Sequence, residues 1–319
     1  MREWQRGAVC VSVAILLGGM ALPAGAADGE GGWSAVVLPA ARQLDLKARQ
    51  SGHPYRIFVS EPASPAPAEG HPVIYVLDGN AAFPVAAFLA RSAASRREVT
   101  GLVPPLVVGI GYPGAGDFDV VARRRDYTPG GVEAGSPDGG GGADAFLDFI
   151  EGEVKPLIEA RYPIDRTRQA LFGHSFGGLL VTHALLTRPD SFSTFIASSP
   201  SIWWRKHRVM KSPPLRQGPA GLPRVQISVG ALEDDPPKGN YSPDLLAMIR
   251  SRSMIPEARA LARLLQGQPG GQDRVVYHEL AGEDHGPVWL PAMSRGMQFF
   301  LEQPRTKGLS SQPKADTIE

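Results

Sequence analysis

The stretch Arg168-Gln169-Ala170-Leu171-Phe172-Gly173-His174-Ser175-Phe176-Gly177-Gly178-Leu179-Leu180-Val181 decides how the rest of this chain is read. One apolar run predicts a strand over residues 168–172, and the next predicts a helix over residues 177–187. Between them stands Gly-x-Ser-x-Gly, the pattern of a tight strand-to-helix turn that presents a serine hydroxyl. Side chains at the flanking positions would meet neighbouring backbone, which predicts that Gly173 and Gly177 serve by lacking a Cβ. The new helix begins beside Ser175, where unpaired N–H groups favour developing negative charge. Ser175 is therefore the candidate nucleophile, and the backbone N–H of Phe176 is a candidate donor to an oxyanion. A Gly-Ser turn without activity is the plain alternative.

Outward from this turn, strands are predicted over residues 55–60, 73–77, 106–110, 195–197, 225–229 and 275–280. Helices are predicted over 143–162, where Phe146, Phe149, Ile150, Val154, Leu157 and Ile158 form one stripe, and over 289–301. Residues 243–266 read as mostly helical with a break at Pro256. Residues 61–70 and Asp78-Gly79-Asn80 carry turn chemistry, and 130–142 reads as a flexible surface loop. Strands alternating with helices imply an α/β fold with a mostly parallel sheet covered by helices on both faces. Neither an internal repeat nor a dividing linker is visible in the sequence.

A serine hydroxyl needs a base, and the chain order for this turn is Ser, acid, His. Gly282-Glu283-Asp284-His285-Gly286 follows a late strand and precedes the last helix, which makes His285 the candidate base. His174, His183, His278, His53, His71 and His207 sit on or beside the wrong elements and read as structural. The acid belongs after the strand over 225–229, where Glu233, Asp234 and Asp235 stand together. Glu233 is favoured, with Asp235 and then Asp234 as alternatives, and a Ser–His pair without an acid as a further one. The second oxyanion donor is expected from the loop after the third strand, at Gly79 or Asn80; an ordinary Asp-Gly turn explains those residues equally well.

The 319 residues are 43% hydrophobic and 20% charged, which excludes collagen-like, coiled-coil and wholly disordered chains. A formal charge of +1 with no long basic run leaves no electrostatic footprint for nucleic acid or an anionic membrane. Arg2 and Arg6, an apolar run over 7–22 and Ala24-Gly25-Ala26 lay out a secretory signal peptide at 1–26, with an uncleaved anchor as the alternative. The expected organisation is a leader at 1–26, one catalytic domain at 27–302 and a flexible tail at 303–319, in a periplasmic or secreted protein. Cys10 is the only cysteine, so cleavage would leave no thiol and no disulfide. Gly109-Ile110-Gly111-Tyr112-Pro113-Gly114 matches a dinucleotide fingerprint literally, but Pro113 does not open a helix. His278, Glu279, Glu283, Asp284 and His285 fit no metal-ligand spacing. No metal or organic cofactor is expected. Arg123-Arg124-Arg125 reads as a solvated face or as part of a pocket wall.

Five motifs occur in order: Tyr75-Val76-Leu77-Asp78-Gly79-Asn80, Arg125-Asp126-Tyr127-Thr128-Pro129, the turn at 173–178, Ser199-Pro200-Ser201-Ile202-Trp203-Trp204 and Gly282-Glu283-Asp284-His285. Together they resemble the esterase D-like family of α/β-hydrolases, and most closely its periplasmic siderophore (enterobactin or salmochelin type) trilactone esterases. The resemblance spans about residues 55–301. It implies an α/β-hydrolase fold, Ser175 as nucleophile, His285 as base and an atypical or weak third member. It also implies that one of Arg123 to Arg125, with Arg123 and Arg125 favoured, faces an anionic ligand and that Trp203 and Trp204 lie near the pocket, where core packing explains the tryptophans equally well. The expanded glycine-rich stretch up to Gly142 would alter the pocket's shape. The expected function is ester hydrolysis of a small-molecule substrate, such as an anionic ferric siderophore. A general short-chain esterase, an acyltransferase and, in another class, a non-catalytic binding module are the competing readings.

Overall fold

The computed structural model describes residues 35–302, except 115, 131–138, 212–220, 237, 238 and 240. The expected leader at 1–26 and tail at 303–319 lie outside the described residues, as does most of the stretch 130–142. Eight strands form one sheet: β1 (Ala41–Lys47), β2 (Pro54–Ser60), β3 (His71–Leu77), β4 (Leu106–Gly111), β5 (Ile164–His174), β6 (Thr194–Ser198), β7 (Arg224–Gly230) and β8 (Val275–Leu280). Their order is β1-β2-β4-β3-β5-β6-β7-β8. The pairs β1–β2 and β2–β4 are antiparallel and the rest parallel, so β2 alone runs against the others. β3, β4 and β6 are buried at every position, as strands covered on both faces must be.

β1 was not predicted. Its residues are mostly exposed and polar, because an edge strand with one partner has little to bury. What holds it includes a cross-strand ion pair between facing residues, with Arg56 Nε donating to Asp45 Oδ1 at 2.6 Å.

The helices longer than four residues are α1 (Gly79–Ser95), α2 (Val120–Tyr127), α3 (Ala143–Phe149), α4 (Lys155–Glu159), α5 (Phe176–Thr187), α6 (Pro243–Ser251), α7 (Met254–Gln266) and α8 (Trp289–Leu301). A π-helical turn, Ile150–Val154, joins α3 to α4. α1 and α8 cover one face of the sheet, while α2 to α5 and α7 cover the other. On the α1 face, Gly109 and Gly111 of the dinucleotide-like motif serve close packing. A Cβ there would lie 2.7 Å from Phe83 Cβ and 2.1 Å from Asn80 Oδ1, respectively.

Three local expectations are corrected. Asp78-Gly79-Asn80 is not a free turn: Asp78 adopts φ 52°, and α1 starts at the next residue. The break in 243–266 falls at Arg252-Ser253, where Ser253 has φ 49°. Pro256 lies inside the first turn of α7, where a missing N–H costs no helical bond. The glycines closing the 130–142 stretch are clamped: Gly142 N–H donates to the Arg125 carbonyl at 2.9 Å, and Gly141 N–H to Thr128 Oγ1 at 3.0 Å.

The motif Arg125-Asp126-Tyr127 is a latch that fastens α2 to the sheet. Buried Asp126 accepts from Tyr55 and Tyr112 hydroxyls at 3.1 Å each and from Arg125 Nε at 2.7 Å. The fully buried Tyr127 hydroxyl accepts from the Asp78 N–H at 3.1 Å, tying α2 to the junction of β3 and α1. Burial pushes the Tyr127 phenol well above its usual range, so it stays a hydroxyl. Tyr127→Phe leaves that N–H unpaired and should cost about 1–3 kcal/mol. Urea unfolding checks this: the midpoint should fall with an unchanged slope.

Candidate active site

Ser175 sits between the end of β5 and the start of α5 with φ 59° and ψ −116°, a conformation that costs a non-glycine residue energy. The end of β6 and the loop after it hold it there. Ser175 N–H donates to the Ser198 carbonyl at 3.0 Å, and Ser201 N–H donates to the Ser175 carbonyl at 3.1 Å. The predicted glycine pair is half corrected. A Cβ on Gly173 would come within 2.4 Å of the Gly177 backbone, but one on Gly177 would meet nothing closer than 3.6 Å. The second tight position is Gly178, whose Cβ would lie 2.6 Å from the Ser198 carbonyl oxygen.

Ser175 and His285 are 110 residues apart in sequence, yet His285 Nε2 lies 3.0 Å from Ser175 Oγ. His285 Nδ1 lies 2.7 Å from Glu233 Oε2. The other Glu233 oxygen accepts from the Gly230 N–H at 2.7 Å and from the Ser199 hydroxyl at 2.5 Å. Glu233's side chain is 0% exposed. Its neighbours have different partners. Asp234 accepts from the Met254 and Ile255 N–H groups at 2.7 and 3.1 Å, capping α7. Asp235 forms an exposed ion pair with Arg250 at 2.8 Å. Of the three carboxylates, Glu233 is the one the structure brings to His285.

Several residues of the site escaped sequence reasoning. Ser201 Oγ lies 3.4 Å from Ser175 Oγ, and Ser199, at φ 42°, reaches Glu233. Both belong to the quoted Ser-Pro-Ser motif, which was the available signal. His174, read as structural, packs its ring 4.8 Å from that of His285, with Nδ1 3.1 Å from Ser198 Oγ. Burial holds His174 well below the usual histidine range, with the nearness of His285 and of Arg123 as smaller causes. It therefore stays neutral beside His285.

Ser175 and His285 open into a cavity of about 550 Å³, walled also by Arg123, Arg124, Trp203 and Arg252. Arg123 is engaged from within: its Nε and terminal nitrogen donate to both oxygens of buried Asp78 at 2.7 and 3.0 Å. Burial pushes the Asp78 carboxyl up and the Arg123 guanidinium partly offsets this. Arg125 does not line the cavity, because Asp126 holds its guanidinium; the exposed Arg124 lines it instead. Trp203 and Trp204 both line it, and Trp204 is also part of the core. Gly79 and Asn80 lie outside the cavity wall. The Asn80 side chain brackets Tyr112, accepting from its N–H at 2.9 Å and donating to its carbonyl at 3.1 Å. Among the described residues there is no cluster of metal-ligating side chains.

A serine raised on a strand-to-helix turn and hydrogen-bonded to a histidine from the loop after β8 defines the α/β-hydrolase class on this sheet. Residues 48–299 match the model of the Esterase family, and the chain belongs to that family. It is a carboxylic ester hydrolase. It is 36% identical over 276 residues to the ferri-bacillibactin esterase BesA of Bacillus subtilis, covering 84% of this chain and 92% of that protein. It is 38% identical over 287 residues to the siderophore triacetylfusarinine C esterase of Aspergillus fumigatus, covering 84% and 95%. Among solved structures, the siderophore hydrolase EstB of Aspergillus nidulans superposes with a TM-score of 0.72 at 33% identity, covering 84% and 98%.

The distinct partners of the three carboxylates lead to distinct losses. Glu233→Gln should lower kcat by about 10⁴-fold, by analogy with removing the acid's charge from a serine triad. Asp234→Asn should mainly lower the Tm through the weakened α7 cap. Asp235→Asn should change kcat less than twofold. Steady-state kinetics on p-nitrophenyl butyrate and thermal unfolding separate these outcomes.

Proposed function

We propose that the protein opens the ester bonds of a siderophore trilactone through an acyl-enzyme on Ser175. The observation that carries the chemistry is the unbroken chain from Ser175 Oγ through His285 to buried Glu233. His285 Nε2 takes the hydroxyl proton as Ser175 Oγ bonds to the ester carbonyl carbon. Glu233 fixes the imidazole tautomer and stabilises the imidazolium. The carbonyl oxygen, now an oxyanion, accepts from the Phe176 N–H in the first turn of α5. The second donor is assigned to the first turn of α1, at Gly79 or Asn80, which follows the end of β3. Collapse of the intermediate breaks the C–O bond, and the imidazolium returns the proton to the leaving alkoxide. Water then enters, His285 takes its proton, and the acid product leaves with Ser175 restored. Support for the substrate class comes from the names of the relatives above and from a cavity that combines an aromatic wall at Trp203 with arginines.

The test is kinetics on a ferric and an iron-free catecholate trilactone beside p-nitrophenyl butyrate. The wild type should prefer a trilactone. Ser175→Ala should lose at least 10³-fold in kcat and all labelling by a fluorophosphonate probe. Preference for the simple ester would remove the siderophore reading, and retained labelling in the variant would remove Ser175.

We further propose that residues 1–26 are an export leader and that the enzyme acts in the periplasm or outside the cell. The basic start, apolar run and Ala-x-Ala ending support this. N-terminal sequencing of the protein from fractionated cells should begin at Ala27 in an extracytoplasmic fraction; a cytoplasmic chain retaining Met1 would overturn it.

A further inference from the structure

Among the cavity's arginines, Arg124 is exposed to solvent, whereas Arg252 is half-buried and keeps an unpaired donor. Arg123 is bound along one edge of its guanidinium by both oxygens of Asp78. Arg252 lies at the junction of α6 and α7, and no carboxylate among the described residues is within ion-pairing distance of it. Its Nε is buried with no hydrogen-bond partner, and the contact its terminal nitrogen makes is a 3.9 Å approach to Met248 Sδ. Its guanidinium carbon lies 4.9 Å from the centroid of the Trp203 ring. A half-buried cation with an unpaired donor is costly to hold, and an ordered water or a bound anion would offset that cost.

The chain also builds this position deliberately. The reversal at Ser253 is held by Asp234, which caps the first two N–H groups of α7. Asp234 adjoins Glu233, so the loop that brings the carboxylate to His285 also sets Arg252 over Trp203. Burial pushes the Arg252 guanidinium down from its ordinary value with nothing opposing it, in contrast to Arg125, which Asp126 holds up.

We propose that Arg252 is the anion anchor of the cavity: with its face on Trp203, its free edge takes a planar oxygen anion carried by the substrate, a catecholate or an arenecarboxylate. This rests on the esterase reading above and deepens it by assigning the residue that selects charged esters. A guanidinium supported on an indole face offers its N–H edge to such a group and stacks beside its ring.

The experiment uses competition as well as turnover. Ester-free ferric tris-catecholate and benzoate are assayed as inhibitors of p-nitrophenyl butyrate hydrolysis by the wild type, Arg252→Met and Arg252→Lys, each checked by thermal unfolding. The inhibition constant of the ferric tris-catecholate should rise at least tenfold in Arg252→Met and less in Arg252→Lys. The wild type's constant should weaken with added salt, and that of Arg252→Met should weaken less, since Arg123 and Arg124 remain in the wall. For the ferric trilactone, the ratio of its kcat/KM to that of p-nitrophenyl butyrate should fall at least tenfold in Arg252→Met, mostly through KM. A rise confined to benzoate assigns the anchor to carboxylates instead. Equal inhibition of wild type and Arg252→Met, or none of the wild type by either anion, overturns the proposal. If Arg252→Met loses inhibition while the wild type fails to open the trilactone, the anchor stands and the siderophore reading falls.

Discussion

The backbone of Ser175 is the constraint on which the molecule turns. A residue with a side chain at φ 59° stores about 1–3 kcal/mol and stays there only if its surroundings over-determine it. The end of β6 and the loop after it do so by hydrogen bonds to the N–H and the carbonyl of Ser175, respectively. The same few residues extend further, for the Ser199 hydroxyl reaches Glu233 and the Ser201 hydroxyl lies beside that of Ser175. The turn that lifts the serine and the carboxylate that orients the histidine are thus braced by one segment, 198–201. Close approach at Gly173 and Gly178 is what lets β5, α5 and this segment meet without a side chain between them.

Buried charge is the second theme. Asp78, Asp126 and Glu233 are all nearly inaccessible, and each is provided with donors that make its burial tolerable. Asp78 has Arg123, Asp126 has two tyrosines and Arg125, and Glu233 has a backbone N–H, a serine and His285. The first two fasten α2 and α1 to the carboxyl ends of the strands, where ligands bind in sheets of this kind. The third belongs to the reacting chain. His174 contributes by remaining uncharged against the His285 ring, so that no second cation opposes the imidazolium formed there.

Much of the sheet was legible because its central strands are unbroken apolar runs, as in Val73-Ile74-Tyr75-Val76-Leu77, and because the glycines around Ser175 mark a turn of one kind. β1 was not, since an exposed edge strand has polar residues and no period to detect. α1 was hidden by Asp78-Gly79-Asn80, which reads locally as a turn. It was hidden also by Pro84, which the helix accommodates on its exposed side. The break at Arg252-Ser253 carried no composition signal at all; Pro256, two residues into α7, drew the reading away from it.

The sequence by itself determined the alternation of strand and helix, the position of Ser175 on its turn and the chain order in which an acid and a histidine must follow, because these depend on local periodicity and backbone sterics. It narrowed the acid to three neighbouring carboxylates and could go no further, for identical chemistry at 233, 234 and 235 differs only in what each side chain meets. Tertiary structure decided that, turning Glu233 to His285, Asp234 to the start of α7 and Asp235 to solvent. It likewise decided that Arg123 and Arg125 are held by carboxylates and that Arg252 is not. Pairing and burial are properties of groups brought together from distant segments, and no local pattern encodes them.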